Sequence, residues 1–162
     1  MLVAVISDTH MTGGQRRLPD RCVELIASAD LLVHAGDIMT VDALIEIEAI
    51  GTPIRAVAGN MDEWELRDRL PDKTEMDLDG AKIAMVHDGG AAAGRLARLR
   101  GRFPDADAVV FGHSHIPLHE RGGDFQIFNP GSPTERRRAP THAMGLARIA
   151  GGTVEFEHVV LS

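Results

Sequence analysis

Short apolar runs bounded by Gly, Asp or Asn recur along the chain, at residues 3–6, 31–33, 54–58, 83–86 and 108–111. Unbroken runs of this length and Val/Ile content predict strands buried on both faces. Between the first three lie segments of helical pattern. One covers residues 19–28, with Val23, Leu25 and Ile26 apolar, and one covers 41–50, with Thr40 placed to cap it. The alternation predicts β-α-β units. Residues 62–70 read as a third helix, with Asp62 as N-cap and Pro71 as its stop. After that the pattern turns antiparallel: residues 74–78 and 81–86 flank Asp79-Gly80, a pair suited to a tight type I′ hairpin. Residues 91–100 read as a helix with Leu96 and Leu99 on one face and Gly101 near its stop, and 125–128, 143–149 and 153–160 read as a β-meander with a turn at Gly151-Gly152. Alternating units first and a meander later predict an α/β architecture of four layers, α-β-β-α, with two mixed sheets face to face and helices outside.

Size and composition narrow this picture. A chain of 162 residues fits one domain over 1–162. Its 44% hydrophobic and 25% charged residues are those of a globular protein, and it has no apolar run of about 18 residues that could span a bilayer. No membrane association is expected. The opening residues 1–6 lack a basic region and are soon followed by Asp8 and His10, so a cytoplasmic protein is expected. Cys22 is the single cysteine, which excludes an internal disulfide and a multi-thiolate zinc site. Any metal must be held by nitrogen and oxygen. The formal charge of −7 disfavours nucleic acid as a partner.

The polar residues that matter stand at the ends of the apolar runs. Asp8 and His10 follow the first, Asp37 the second, Asn60 the third, His87 the fourth, and His113 and His115 the last. Carboxylate, imidazole and amide oxygen are the donors that hard and borderline divalent ions take, and seven such residues suit two ions better than one. So many convergent buried groups would be hard to stabilise without metal.

The ordered set Asp8-x-His10, Gly36-Asp37, Gly59-Asn60, His87 and Gly112-His113-x-His115 resembles the calcineurin-like metallophosphoesterase superfamily, and Asn129-Pro130-Gly131-Ser132 with the short length makes it similar to the small prokaryotic phosphodiesterase branch. The resemblance implies that Asp8, His10 and His115 hold one divalent ion and Asn60, His87 and His113 a second, with Asp37 bridging. Mn²⁺ is the first expectation, and Ni²⁺, Zn²⁺, Fe²⁺ and Co²⁺ fit the same donors. It implies a metal-dependent phosphodiesterase for a small or nucleotide-like phosphodiester, acting through a metal-activated water without a covalent enzyme intermediate. Asp37, Asn60, His87 and Asp62 are then the candidate catalytic residues. A phosphomonoesterase and a non-catalytic scaffold of the same fold are the alternatives, and a homo-oligomer is a further expectation of the resemblance.

Two positions depart from the superfamily pattern. The Gly-Asn motif usually continues with His, but here Met61 follows, and a thioether donates no proton. Asp62 or a metal-held water would have to supply the acid. The usual His-Gly is here His87-Asp88-Gly89-Gly90, and Asp88 reads first as a turn or capping residue.

Other residues take ordinary readings. His34 is expected as a hydrogen-bonded core histidine, and His119, His142 and His158 as surface or sheet residues. Arg16 and Arg17 read as a solvated loop near the first ligands, Arg136, Arg137 and Arg138 as a solvated run or subunit contact, and Arg95, Arg98, Arg100 and Arg102 as the wet side of a helix. Residues 129–132 read as a turn bordering the site.

Overall fold

The computed structural model describes residues 1–161. In chain order the elements are β1 (Leu2–Ile6), α1 (Asp20–Ala27), β2 (Leu31–His34), α2 (Val41–Glu48), β3 (Ile54–Ala56), α3 (Trp64–Arg69), β4 (Lys73–Leu78), β5 (Ala81–Val86), α4 (Arg95–Arg102), β6 (Ala108–Val110), β7 (Leu118–Gly122), β8 (Phe125–Asn129), β9 (Ala143–Ala150) and β10 (Thr153–Val160). They form two five-stranded mixed sheets, ordered β10-β9-β1-β2-β3 and β4-β5-β6-β8-β7.

Side-chain alternation along each strand sorts the core into three layers of contact. Val3, Val5, Val33, Ile83, Met85, Ala108 and Val110 pack together between the two sheets. Their neighbours point the other way: Ala4, Ile6 and Leu32 meet Cys22, Ile26, Leu44 and Ile47 from α1 and α2, while Ala84, Val86 and Val109 meet Leu99 and Phe103 from α4. Strands covered on both faces explain the unbroken apolar runs, and the outcome is the four-layer sandwich that the pattern predicts.

Several local expectations hold in detail. Thr40 caps α2, its hydroxyl accepting from the Ala43 amide at 3.1 Å. Asp79 and Gly80 join β4 to β5 with φ of 49° and 84°, the sign that a type I′ turn requires at both positions.

Others need correction. The third helix starts at Trp64 with Glu63 at its cap position, because the Asp62 carboxylate is already bound to the Met39 and Gly59 amides at 2.7 Å each. The fourth starts at Arg95 and runs through Gly101, because residues 89–94 form a loop whose carbonyls take the Arg95 and Arg98 guanidiniums. The C-terminal strands are two hairpins, not one meander. β7 and β8 close the second sheet, whereas β9 crosses to pair antiparallel with β1 in the first. β7 escapes a pattern-based reading because its middle residues, His119, Glu120 and Arg121, are polar and exposed.

Candidate metal centre

Three parallel strands of the first sheet and two of the second end at the same edge of the sandwich, so their C-terminal loops meet there. All seven predicted ligands lie on those loops. Five of them, Asp8, His10, Asp37, His113 and His115, have φ between 45° and 71°. Left-handed backbone is uncommon for such residues and costs of order 1–3 kcal/mol each, which only a strongly determined surrounding sustains. Close backbone approach sets the rest. A Cβ on Gly59 would lie 2.1 Å from Asp37 Oδ1, and one on Gly112 would lie 2.7 Å from Asp8 Oδ2.

The side chains form two imidazole pairs around two carboxylates. His10 and His115 have ring centroids 5.0 Å apart, and His87 and His113 are 5.2 Å apart. In the first group His10 Nε2 stands 3.4 Å from Asp37 Oδ2 and His115 Nε2 stands 3.4 Å from Asp8 Oδ1. In the second, His87 Nε2 is 3.3 Å from Asp37 Oδ2, while Asn60 Oδ1 lies 3.0 Å from His87 Nε2 and 3.1 Å from His113 Nδ1. Donor atoms of Asp8, His10 and His115, and likewise of Asp8, Asp37 and His87, all lie within 4.8 Å of one another.

Proton bookkeeping shows how well these residues suit a cation. The His87 Nδ1–H donates to the Ala35 carbonyl at 2.7 Å, and the His115 Nδ1–H donates to the Glu135 carbonyl. A carbonyl only accepts, so in each neutral ring Nε2 carries a lone pair, and that lone pair faces carboxylate or amide oxygen. The buried Nε2 atoms of His10 and His115 have no hydrogen-bond partner among the described residues. Acceptors aimed at acceptors are costly unless a positive charge lies among them. A divalent ion fits that requirement, and the outer nitrogens are already fixed in the tautomer that a ligand needs.

The electrostatics show the same demand for positive charge among these groups. Burial raises the Asp8 carboxyl above the usual carboxylate range, against the pull of His87 and His115. For Asp37 burial also acts upward, but the adjacent His10 and His87 imidazoles and the hydrogen bond from the Met61 amide outweigh it and hold the group far below that range. Burial pulls the His87 imidazole down, yet Asp37 and Asp8 outweigh it and raise it overall.

Sequence reasoning missed the support behind the ligands. Ser132 Oγ–H donates to the Asp8 carbonyl at 2.8 Å, Thr134 Oγ1–H donates to the Thr9 carbonyl at 2.6 Å, and the Glu135 carboxylate lies 3.5 Å from His10 Nδ1. Glu135 thus touches two ligand rings, one through its backbone and one through its side chain. The Asn129 amide donates to the Gly112 carbonyl and to Ser114 Oγ, so the predicted turn at 129–132 is a brace for the His113–His115 loop. Arg16 reaches Glu135 at 3.6 Å and the His10 carbonyl at 3.4 Å. His34 is the buried core histidine expected: the Gly36 amide donates to Nδ1, so Nε2–H donates to Thr9 Oγ1. Asp62 lies beside the site, but both carboxylate oxygens hold backbone amides.

Comparison with known proteins follows the same outline. The calcineurin-like phosphoesterase superfamily domain matches residues 1–152. A probable metallophosphoesterase of Methanothermobacter thermautotrophicus is 31% identical over 97% of this chain and 91% of its own. A phosphodiesterase of Methanocaldococcus jannaschii is 25% identical over 81% of this chain and 83% of its own. Among solved structures, zinc-complexed Vps29 of Entamoeba histolytica superposes with a TM-score of 0.77 over the full length of both chains at 21% identity, a likeness of fold. No helix among the described residues is long and apolar enough to cross a membrane.

Proposed function

The chain belongs to the calcineurin-like phosphoesterase superfamily, and from that premise we propose that it is a metal-dependent phosphodiesterase acting on a small or nucleotide-like phosphodiester at a two-ion centre. The observation that carries this reading is the convergence of the Nε2 atoms of His10, His115 and His87 on the Asp8, Asp37 and Asn60 oxygens, with the His87 and His115 rings turned by backbone carbonyls so that Nε2 offers its lone pair. Asp8, His10 and His115 would hold one ion, Asn60, His87 and His113 the other, and Asp37 would contribute to both. Ions so held would supply Lewis-acid polarisation of phosphoryl oxygens and a lowered pKa for the attacking water.

The protein's own groups divide the remaining work. The His10 and His87 imidazoles and the Met61 amide hold the Asp37 carboxyl well below the usual carboxylate range, which favours its charged form. The Ala35 carbonyl keeps the His87 ring in one tautomer, and Glu135 does the same for His115. Met61 offers its amide to Asp37 Oδ1 at 2.8 Å, and its thioether protonates no leaving group. Asp62 acts as a positioning residue, tying the Met39 and Gly59 amides across the two loops that carry Asp37 and Asn60. A chain without a side-chain acid at position 61 is suited to esters whose leaving groups depart readily as anions. That one relative is named a phosphodiesterase supports a diester rather than a monoester as the substrate of this chain.

The test is to strip the protein of metal and assay bis-p-nitrophenyl phosphate and p-nitrophenyl phosphate with Mn²⁺, Ni²⁺, Zn²⁺ or Mg²⁺ added singly. Diester cleavage restored by a transition metal, with little monoester cleavage, is expected. Preferential monoester turnover overturns the diesterase reading, and silence with every ion supports a scaffold.

A further inference from the structure

A cleft of roughly 470 Å³ opens beside Asn60 and His87, which line it together with Arg67 of α3 and Arg98 and Arg102 of α4. That volume falls in the range of small-molecule sites and exceeds what one phosphate fills. What sets the three arginines together is that they line one cleft and none has a carboxylate partner among the described residues. Arg16, Arg69, Arg100 and Arg148 each lie within 4.0 Å of a carboxylate, on Glu135, Glu65, Asp124 and Glu157. Arg67, Arg98 and Arg102 have no such partner among the described residues, in a chain whose net charge is −7.

Each of the three is presented differently. Arg98 is held rigid, its Nη2 donating to the Gly89 and Ala91 carbonyls at 2.9 and 2.5 Å. Carbonyls orient a guanidinium without neutralising it. Arg102 lies against the Phe103 ring at 5.4 Å, and Arg67 makes no side-chain hydrogen bond or ion pair among the described residues. Two carboxylates share the cleft, Asp72 and Asp88, but Asp88 Oδ1 already accepts the Gly90 amide at 2.8 Å. Three guanidiniums from two helices thus line one cleft without a carboxylate partner among the described residues, a lining suited to phosphate oxygens.

We propose that this cleft is an anion subsite for a second, non-reacting phosphate, so that the preferred substrate is a phosphodiester carrying a further phosphoryl group. This rests on the diesterase reading above, since the cleft shares His87 and Asn60 with the proposed metal centre. The reacting ester would sit over those two residues while the second phosphate reaches the arginines.

A matched pair of esters tests it: deoxythymidine 5′-(p-nitrophenyl phosphate) with and without a 3′-phosphate. The 3′-phosphate is expected to raise kcat/KM about tenfold, chiefly through KM. The double variant Arg67→Ala/Arg102→Ala should bring that ratio close to one. Arg21→Ala, which pairs with Glu24 and lies outside the cleft, should leave it unchanged. A wild-type ratio near one, or a ratio that survives the double substitution, overturns the subsite. If neither ester is cleaved the diesterase reading has failed, and calorimetric titration of metal-stripped protein with inorganic pyrophosphate then decides the subsite alone. Saturable binding weakened about tenfold in the double variant sustains it; no binding, or equal binding, removes it.

Discussion

The two halves of the proposed centre each pair two imidazoles beside the shared Asp37, but differ in the third donor, the Asp8 carboxylate against the Asn60 amide, and in what surrounds them. Asp8 and His115 are fully buried and His10 is 9% exposed, and Ser132, Thr134 and Glu135 brace them from behind. In the other half Asn60 and His113 are exposed, and Asn60 lines the arginine-bearing cleft together with the buried His87. Yet His113 and His115 stand two residues apart on one loop, and Asp37 touches rings of both halves. The difference teaches that one end of the centre is arranged to retain its ligands and the other to admit a substrate.

Asp37 is where the comparison breaks most completely, since its loss disables both halves. Charge stabilisation of several kcal/mol is at stake, and about 1.4 kcal/mol is a factor of ten. Asp37→Ala should therefore lower kcat for bis-p-nitrophenyl phosphate about 10³-fold at saturating metal, with circular dichroism of the variant unchanged. Retention of more than a tenth of wild-type turnover would remove the shared carboxylate from the scheme.

Asn60→Ala acts on the exposed half alone. Turnover should drop about 100-fold, and the metal content after gel filtration should fall from two ions per chain to one, because the buried donors remain. Loss of both ions together would show that the halves are not separable. Glu135→Gln probes the buried half in the opposite sense. It keeps the backbone carbonyl on His115 but removes the charge near His10 Nδ1, so affinity for the retained ion should weaken about tenfold in competition with a chromophoric chelator. An unchanged affinity would reduce Glu135 to a surface partner of Arg16 and Arg137.

How far the sequence could be read follows the same division. Residues that end apolar runs are visible because the run locates the strand and the strand locates the loop, which is why Asp8, Asp37, Asn60 and His87 could be named together. The braces are not visible in that way. Ser132 lies in the turn after the run 125–128, but nothing local shows that it reaches Asp8, 124 residues away, and Glu135, 125 residues from His10, follows no patterned run of its own. The Glu135-Arg136-Arg137-Arg138 run reads as solvated charge because nothing local reveals that its first residue turns inward. Asp62 illustrates a conflict between local and long-range demands. Its position suits a helix cap, but two amides from separate loops take its oxygens first, and the cap passes to Glu63.

His34 lies beneath the centre, joining the Asp8–His10 loop to the Gly36–Asp37 turn through Thr9 and the Gly36 amide. Burial, followed by the neighbouring His87, holds its imidazole down at about 3, against an ordinary 6.5. Below pH 6.5 the unfolded chain takes up a proton at this position and the folded chain does not, so stability falls as pH drops from 6.5 toward 3. The raised carboxyls of Asp8 and Asp62 act in the opposite direction, gaining protons in the folded state first. A whole-protein acid titration therefore mixes the two signs, and the difference between wild type and His34→Gln separates them. In metal-stripped protein the wild type should lose up to about 1.4 kcal/mol per pH unit more than the variant between pH 6 and roughly 4, measured by urea unfolding. Parallel curves would mean that His34 finds a proton without unfolding, and that this join between the two loops opens in acid while the sandwich beneath it stays shut.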